Sequence, residues 1–359
     1  MARPTQARLD LGALKHNVSV ARKLAPHSKL MAVVKANAYG HGAATIAGAL
    51  QSHADAFAVA SLEEAAVLRD AGITLPILLL EGLFEACELA VAAQLDVWLS
   101  IDNEQQLQWL EKAVLPAPLT CWLKVDTGMN RLGAAPANAL HYYQRLMATP
   151  NAADNVVTYT HFASADDVHN EQTSQQIAVF DGLTFSAARS AANSAALLAW
   201  PLAHYDWVRP GYMLYGHSPM AQDHPNAQTL QPVMALTSAV IALRNVAVGE
   251  SVGYGGTWVA QRPSVIATVT IGYGDGYPRE APNGTPVLVK GQRAALAGRV
   301  SMDMITVDVT DLEHVQCGAE VVLWGAGLPL GEVARWANTI GYELTTRMPQ
   351  RTPRIIVNA

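Results

Sequence analysis

The sequence predicts two parts, a (β/α)8 barrel over residues 1–231 and a mostly β domain over residues 232–359. Three observations predict them. Between Lys29 and Val208, eight short apolar runs alternate with segments of helical pattern, as in a closed parallel barrel. The unusual polar residues (Lys35, Lys124, His161, Asn193, Ser194 and Arg209) fall at or just past the C-terminal ends of those runs. Polar residues satisfied inside a core would be scattered along the strands, whereas a barrel's site gathers on one rim. Near Gln231-Pro232 the alternation stops and strand-like runs dominate.

Taken in order, Lys29 to Val34 is the first strand, and Ala43 to Leu50 is the helix that follows it. Asp55 to Ala60 is the second strand, with Ser61 as the N-cap of the next helix. Strands follow at Leu75 to Leu80, Asp96 to Ile101, Thr120 to Val125, Asn155 to His161, Phe185 to Ala192 and His204 to Val208. The helices between them span Phe84 to Ala93, Asn103 to Ala113, Ala137 to Ala148 and Thr173 to Gly182. An open doubly wound sheet is the competing architecture, but its Gly-x-Gly-x-x-Gly fingerprint after the first strand is absent. In the second part, strands are expected at Met234 to Val246, Ser264 to Ile271, Pro286 to Val289, Met304 to Val309 and Val321 to Trp324, with a helix at Gly331 to Asn338. Thr5 to Leu11 is a candidate extra strand of that sheet.

The chain has 359 residues, half of them apolar, enough for two substantial cores. No apolar run reaches membrane-spanning length, and the start lacks a secretory core, so a cytoplasmic protein is expected. Three cysteines, Cys87, Cys121 and Cys317, fit neither a disulfide framework nor a zinc site, and no metal is expected. A net charge of −6 without a basic run argues against nucleic acid as a partner.

Val33-Val34-Lys35-Ala36-Asn37-Ala38-Tyr39-Gly40-His41-Gly42 delivers one lysine to the mouth of the sheet. A lysine in low-dielectric surroundings can serve as an amine nucleophile or a base; at a strand end it can also simply reach out into water. Leu123 to Gly133 places Lys124, Asp126 and Arg131 in one loop. Arg131 suits a carboxylate ligand, or an ordinary pair with Asp126. His161 is a rim histidine or a hydrogen-bonded core residue. Asn193-Ser194 opens a helix and Arg209-Pro210-Gly211-Tyr212 supplies further backbone donors, together a phosphate-sized anion site after strands seven and eight. Ser194 as a plain N-cap is compatible with that reading. Tyr254, in Gly253-Tyr254-Gly255-Gly256, reads alone as an exposed turn.

Ala32-Val33-Val34-Lys35-Ala36-Asn37-Ala38-Tyr39-Gly40-His41-Gly42 resembles the cofactor-lysine signature of the alanine racemases. The Lys124–Gly133 loop, the Asn193-Ser194 pair, the Tyr254 loop, Ile271 to Tyr277 and Gly298 to Asp303 resemble further motifs of that family in the same order. The resemblance implies a racemase of alanine that uses pyridoxal 5′-phosphate and works as a head-to-tail homodimer with shared sites. It gives Lys35 and Tyr254 as the two catalytic bases, the tyrosine lent by the other subunit. Cofactor contacts would come from Lys35, Tyr39, Arg131, His161, Asn193, Ser194, Arg209, Gly211 and Tyr212. Arg131 and Met302 would bind substrate. Lys124, Asp166, Tyr273, Arg299 and Asp303 would support the site or line its entrance, and His161 would link Arg209 to the catalytic tyrosine. In some relatives the lysine matching Lys124 is carbamylated and holds the arginine. Arg209 would face the pyridine nitrogen, which limits the ring as an electron sink and suits racemisation. Two departures stand out: Ser190 where some relatives carry histidine, and a position at or near Gln350 where some carry a tyrosine. A pyridoxal-phosphate decarboxylase of the same architecture is the rival activity, and a cofactor carrier made of the barrel alone is the non-enzymatic one.

Overall fold

The computed structural model describes residues 3–185 and 187–358; Met1, Ala2, Ser186 and Ala359 lie outside the described residues. Contacts divide the chain into two units. One is Lys15–Ala38 with Gly42–Gln231; the other is Met1–Leu14, Tyr39–His41 and Pro232–Ala359.

The first unit is the predicted barrel. After β1 (Gln6–Asp10), which belongs to the other unit, come β2 (Lys29–Val33), β3 (Ala56–Val59), β4 (Ile77–Leu79), β5 (Trp98–Ile101), β6 (Cys121–Lys124), β7 (Val157–Tyr159), β8 (Ala188–Ser190) and β9 (Trp207–Val208). These eight strands, β2 to β9, are parallel and close in sequence order, β9 returning to β2 with Lys29 opposite Trp207. Strands such as Ala56–Val59 are buried throughout, because side chains fill the inside and helices cover the outside. The interior is packed, not hollow. Trp122 lies 6.1 Å from Trp98, 5.6 Å from Trp207 and 5.7 Å from Tyr159 by ring centroid, so four strands contribute one aromatic cluster.

Helix Ala43–Leu50 has the predicted limits, and Asn103 caps Glu104–Lys112 by accepting the Gln106 N–H at 3.0 Å. Three expectations need correction. Ser61 occupies the cap position of Leu62–Asp70, but its side chain makes no cap bond; the Glu64 carboxylate takes the Ala60 N–H instead, at 2.8 Å. The helix predicted from Phe84 starts at Glu88, whose carboxylate accepts the Phe84 and Glu85 N–H groups and so folds those residues into a turn. Of the strand predicted over Phe185–Ala192, Ser186 lies outside the described residues, and the strand found is Ala188–Ser190. Helix Leu11–Leu24 was not foreseen.

In the second unit β10 (Met234–Val246), β11 (Ser251–Val252), β12 (Trp258–Val259), β13 (Ser264–Val269), β14 (Pro286–Val289), β15 (Gln292–Leu296), β16 (Ile305–Asp308), β17 (Glu320–Trp324) and β18 (Arg354–Asn358) follow, with β11 and β12 a separate ribbon. The main sheet runs β13-β16-β15-β14-β17-β10-β1-β18, and β10 also pairs with β13, closing a ring. β1 is recruited as expected, antiparallel to β10 and parallel to β18. Leu9, Met234, Val269, Val287, Val307, Val321 and Trp324 fill its core. The predicted helix over Gly331–Asn338 is found at Leu330–Trp336.

Candidate active site

Lys35 stands two residues past the end of β2 and is half-buried. Behind it the chain makes a left-handed turn without glycine: Ala36, Asn37 and Ala38 have φ of 51°, 54° and 53°, and Tyr39 has 52°. Each such residue costs about 1–2 kcal/mol, so other bonds must hold the turn. Asn37 is the clamp, its Oδ1 accepting the Ala43 N–H at 2.8 Å and its carbonyl accepting the Gly42 N–H at 2.9 Å. Glu64 accepts the Ala36 N–H at 2.6 Å. Gly40 continues at φ +80°, where a Cβ would stand 1.8 Å from the Thr345 carbonyl oxygen.

Lys124 ends β6 and is buried. Burial, aided by the Arg131 and Arg209 charges, lowers its pKa to about 8, against the opposing pull of Asp102 and Glu81. In the loop beyond it, Asp126 does not pair with Arg131: its Oδ1 accepts the N–H groups of Gly128, Met129 and Asn130 at 2.9, 2.9 and 3.1 Å. Arg131 remains exposed at the loop tip.

His161 lies two residues past β7 and is half-buried. Burial first, then the charges of Arg209, Lys124, Arg131 and Lys35, push it well below its ordinary pKa, so its ring is neutral at neutral pH. Four cations from the ends of three further strands are thus near enough for their charges to act on one side chain. Gln176 ties the neighbouring loops, donating to the His161 carbonyl at 3.0 Å and to Thr127 Oγ1 at 3.2 Å.

Arg209 follows β9 and is almost wholly buried, which lowers its pKa to about 10. Its guanidinium donates to Ser190 Oγ at 2.5 Å and to the Thr160 and Ala191 carbonyls at 2.6 and 3.3 Å. None of these bonds goes to His161, which feels Arg209 as a charge. Ser190, the departure noted in the sequence, acquires a role as an acceptor for Arg209 while donating to the Trp207 carbonyl at 2.8 Å.

Asn193 caps Ser194–Ala199 through the Ala196 N–H at 3.0 Å. Ser194 Oγ accepts the N–H groups of Gly211 at 2.9 Å and Met213 at 3.3 Å. Tyr212 is buried, which raises its phenol pKa, and Asp166 is exposed.

The remaining predicted residues lie in the other unit. Tyr254 is 72 % exposed and Met302 53 %, and Arg299 and Asp303 are also on the surface. The Tyr273 N–H donates to the Ser301 carbonyl at 3.0 Å, which joins the Tyr273 and Met302 loops. Tyr39, grouped with this unit, has its phenol raised to about 12 by burial.

Sequence reasoning missed three features. Tyr159 is the floor beneath the cations, with Arg209 5.0 Å and Lys124 5.8 Å from its ring centre. Its hydroxyl is held between Ser100 Oγ at 2.6 Å and the Leu80 carbonyl at 3.1 Å. Asp102 is buried beside the Lys124 charge, with Oδ2 unpartnered, and burial raises its pKa. Glu81 and Asp102 follow strands three and four of the barrel, so the rim rule applied to every strand would have found both. Asp275, inside the Ile271–Tyr277 stretch but not singled out there, and Arg351, which no motif marks, are the third feature.

A closed (β/α)8 barrel whose strand ends gather lysines and arginines around a neutral histidine, joined to a mostly β unit, defines a barrel enzyme with an anion-attracting mouth. The family description "Alanine racemase, N-terminal domain" matches residues 9–219, and "Alanine racemase, C-terminal domain" matches residues 233–356. The chain belongs to the alanine racemase family. It is 51 % identical to the biosynthetic alanine racemase of Pseudomonas aeruginosa, covering 98 % of this chain and 99 % of that protein. Against the catabolic alanine racemase of Pseudomonas putida the identity is 49 %, with 98 % of each covered. The crystal structure of the Pseudomonas aeruginosa biosynthetic enzyme superposes with a TM-score of 0.94 at 50 % identity, over 99 % of both chains. The Bacillus anthracis alanine racemase with bound L-Ala-P gives 0.86 at 32 % identity, over 99 % of this chain and 96 % of that one. No described helix is long and apolar enough to cross a membrane.

Proposed function

We propose that the chain interconverts L- and D-alanine with pyridoxal 5′-phosphate, using Lys35 and the Tyr254 of a second copy as its two bases. The convergence of the Lys35, Lys124, Arg131 and Arg209 charges on His161 carries the reading. Such a mouth suits a ligand with several negative groups: a phosphate, a phenolate and an amino-acid carboxylate.

The residues present fit the cofactor. With both Ser194 Oγ lone pairs occupied by backbone N–H groups, its own proton is left to donate, and a phosphate oxygen is a suitable acceptor. Lys35 would hold the aldehyde carbon, with Arg209 toward the ring nitrogen and Tyr39, Asn193, Ser194, Gly211 and Tyr212 around the phosphate. When bound, the cofactor would supply an electron sink that acidifies the substrate Cα–H.

The chain's own groups do the rest. Arg131 orients the substrate carboxylate, and Met302 of the second copy adds a backbone donor. Lys35 and Tyr254 stand on opposite faces of Cα, one removing a proton while the other delivers one, which inverts the centre. His161, neutral, adds no further cation to the mouth. Lys35 serves the D-enantiomer and Tyr254 the L-enantiomer. In the Tyr254→Phe holoenzyme, deuterium wash-in from solvent should fall by 10²-fold or more, on the order of a lost general base, starting from L-alanine, and far less from D-alanine. Equal losses in both directions would remove the assignment. The shared architecture of the decarboxylase rival makes carbon dioxide release from L-lysine or L-arginine the contrasting measurement. Purified protein reconstituted with the cofactor should evolve none while an alanine solution loses its optical rotation. Borohydride should then fix the yellow chromophore to the peptide containing Lys35.

A further inference from the structure

Asp275 is fully buried, and three donors converge on its carboxylate. Arg3 grips both oxygens, at 2.5 and 2.6 Å, Arg351 donates Nε–H to Oδ1 at 2.8 Å, and the Gly272 N–H donates to Oδ2 at 3.0 Å. The other arm of Arg351, Nη2, reaches Asp303 Oδ1 at 2.5 Å. One guanidinium thus spans two loops. The first carries Tyr273 and the second carries Met302.

Those loops also meet directly. The Gly274 N–H donates to the Met302 carbonyl at 2.9 Å, and a Cβ on Gly272 would stand 2.2 Å from the Ser301 carbonyl oxygen. The backbone bonds join the loops at Ser301 and Met302. Asp303 lies one residue beyond them, and Arg351 ties it back to the Tyr273 turn through the rigid fork of its guanidinium. The Arg351 side chain is 43 % exposed and that of Asp303 53 %, so water screens this pair and its net contribution to stability is small. What it fixes is geometry.

We propose that Arg351, seated on buried Asp275, is a positioning residue that sets the spacing of Tyr273 and Met302 and thereby restricts the substrate side chain to the size of alanine's methyl. This rests on the reading of the site given above, in which both side chains border the substrate. Loosening the bridge lets the Met302 loop draw back, which admits one more heavy atom.

The test compares the holoenzymes of Arg351→Met, Asp303→Asn and the double variant. In each, kcat/KM for L-serine and L-2-aminobutyrate is measured relative to L-alanine, alongside amide exchange in residues 272–276 and 298–303. Each single variant should raise the ratio roughly 5- to 20-fold, chiefly by lowering KM for the larger substrate, as expected for one methylene-sized discrimination. Because both changes cut one bridge, the double variant should do no more than either single one. Exchange in the two loops should quicken together. A ratio unchanged in both singles, or effects that multiply in the double, would overturn the proposal. If the wild-type holoenzyme fails to racemise alanine, the reading of the site falls separately; joint acceleration of the loops by Arg351→Met then still upholds the bridge, and unaltered exchange sinks it.

Discussion

Lys124 is pulled in two directions. Burial, with Arg131 and Arg209 behind it, favours the free amine, while Asp102 and Glu81 favour the ammonium, and the balance lies at about 8. A free amine attacks the carbon of carbon dioxide to form a carbamate, releasing one proton, and the resemblance raises that modification for this lysine. At fixed dissolved carbon dioxide, the carbamate should therefore grow in as pH rises through the lysine's titration, with little below pH 7. Replacing Asp102 by Asn removes one of the two charges that hold the proton on. Asp102→Asn should move the midpoint of the carbamate's ¹³C signal to lower pH, by roughly one unit for a single charge several ångströms away in a protein interior. A midpoint that stays put would mean that Asp102 does not govern this amine. A carbamate between Lys124 and Arg131 would also give Arg131 the anionic partner that Asp126, occupied with backbone N–H groups, does not supply.

At the scale of the element, the turn behind Lys35 stores cost where the amine proposed as catalytic is held. Ala36 is exposed and left-handed, so a glycine there loses no packing and escapes the Cβ penalty. Ala36→Gly should raise the urea midpoint of unfolding, equivalent to about 1 kcal/mol. It should also lower kcat, because the turn no longer holds Lys35 in one pose; a variant both less stable and equally active would refute the argument. This turn also marks the limit of what the sequence discloses. A loop with two glycines and an asparagine was legible, but left-handed geometry at Ala36 and Ala38 was not, since bonds to residues such as Asn37 and Glu64 hold it in the fold. Barrel strands such as Ala56–Val59 were readable because burial on both faces leaves continuous apolar runs. Gln292–Leu296, with its first two residues exposed, and the short Gly341–Thr346 helix carry no such signal and went unread. Likewise Lys35, His161 and Arg209 announced themselves by standing at strand ends, while Asp275 and Arg351, 76 positions apart, meet only once the second sheet has formed.

On the scale of the whole molecule, the proposed chemistry requires two copies, because the lysine and the phenol assigned to one substrate come from different chains. That makes a prediction which no single-chain site can imitate. Take one variant with Lys35→Ala and another with Tyr254→Ala, each nearly inactive as a homodimer. In a mixed dimer one site inherits both defects, but the other pairs an intact Lys35 with an intact Tyr254. Random assembly makes half of the dimers mixed, each with one of its two sites whole, so about a quarter of all sites should recover, as expected of a two-fold symmetric dimer with shared sites. Co-expression with two different tags, followed by sequential purification on both, isolates the mixed dimer, whose kcat per dimer should be about half that of the wild type. Were Lys35 and Tyr254 to act from the same chain, every site in the mixture would carry one defect and no activity would return. The exposure of Tyr254 in the single chain is the physical reason to expect recovery, since a phenol turned outward needs a neighbour to become a base.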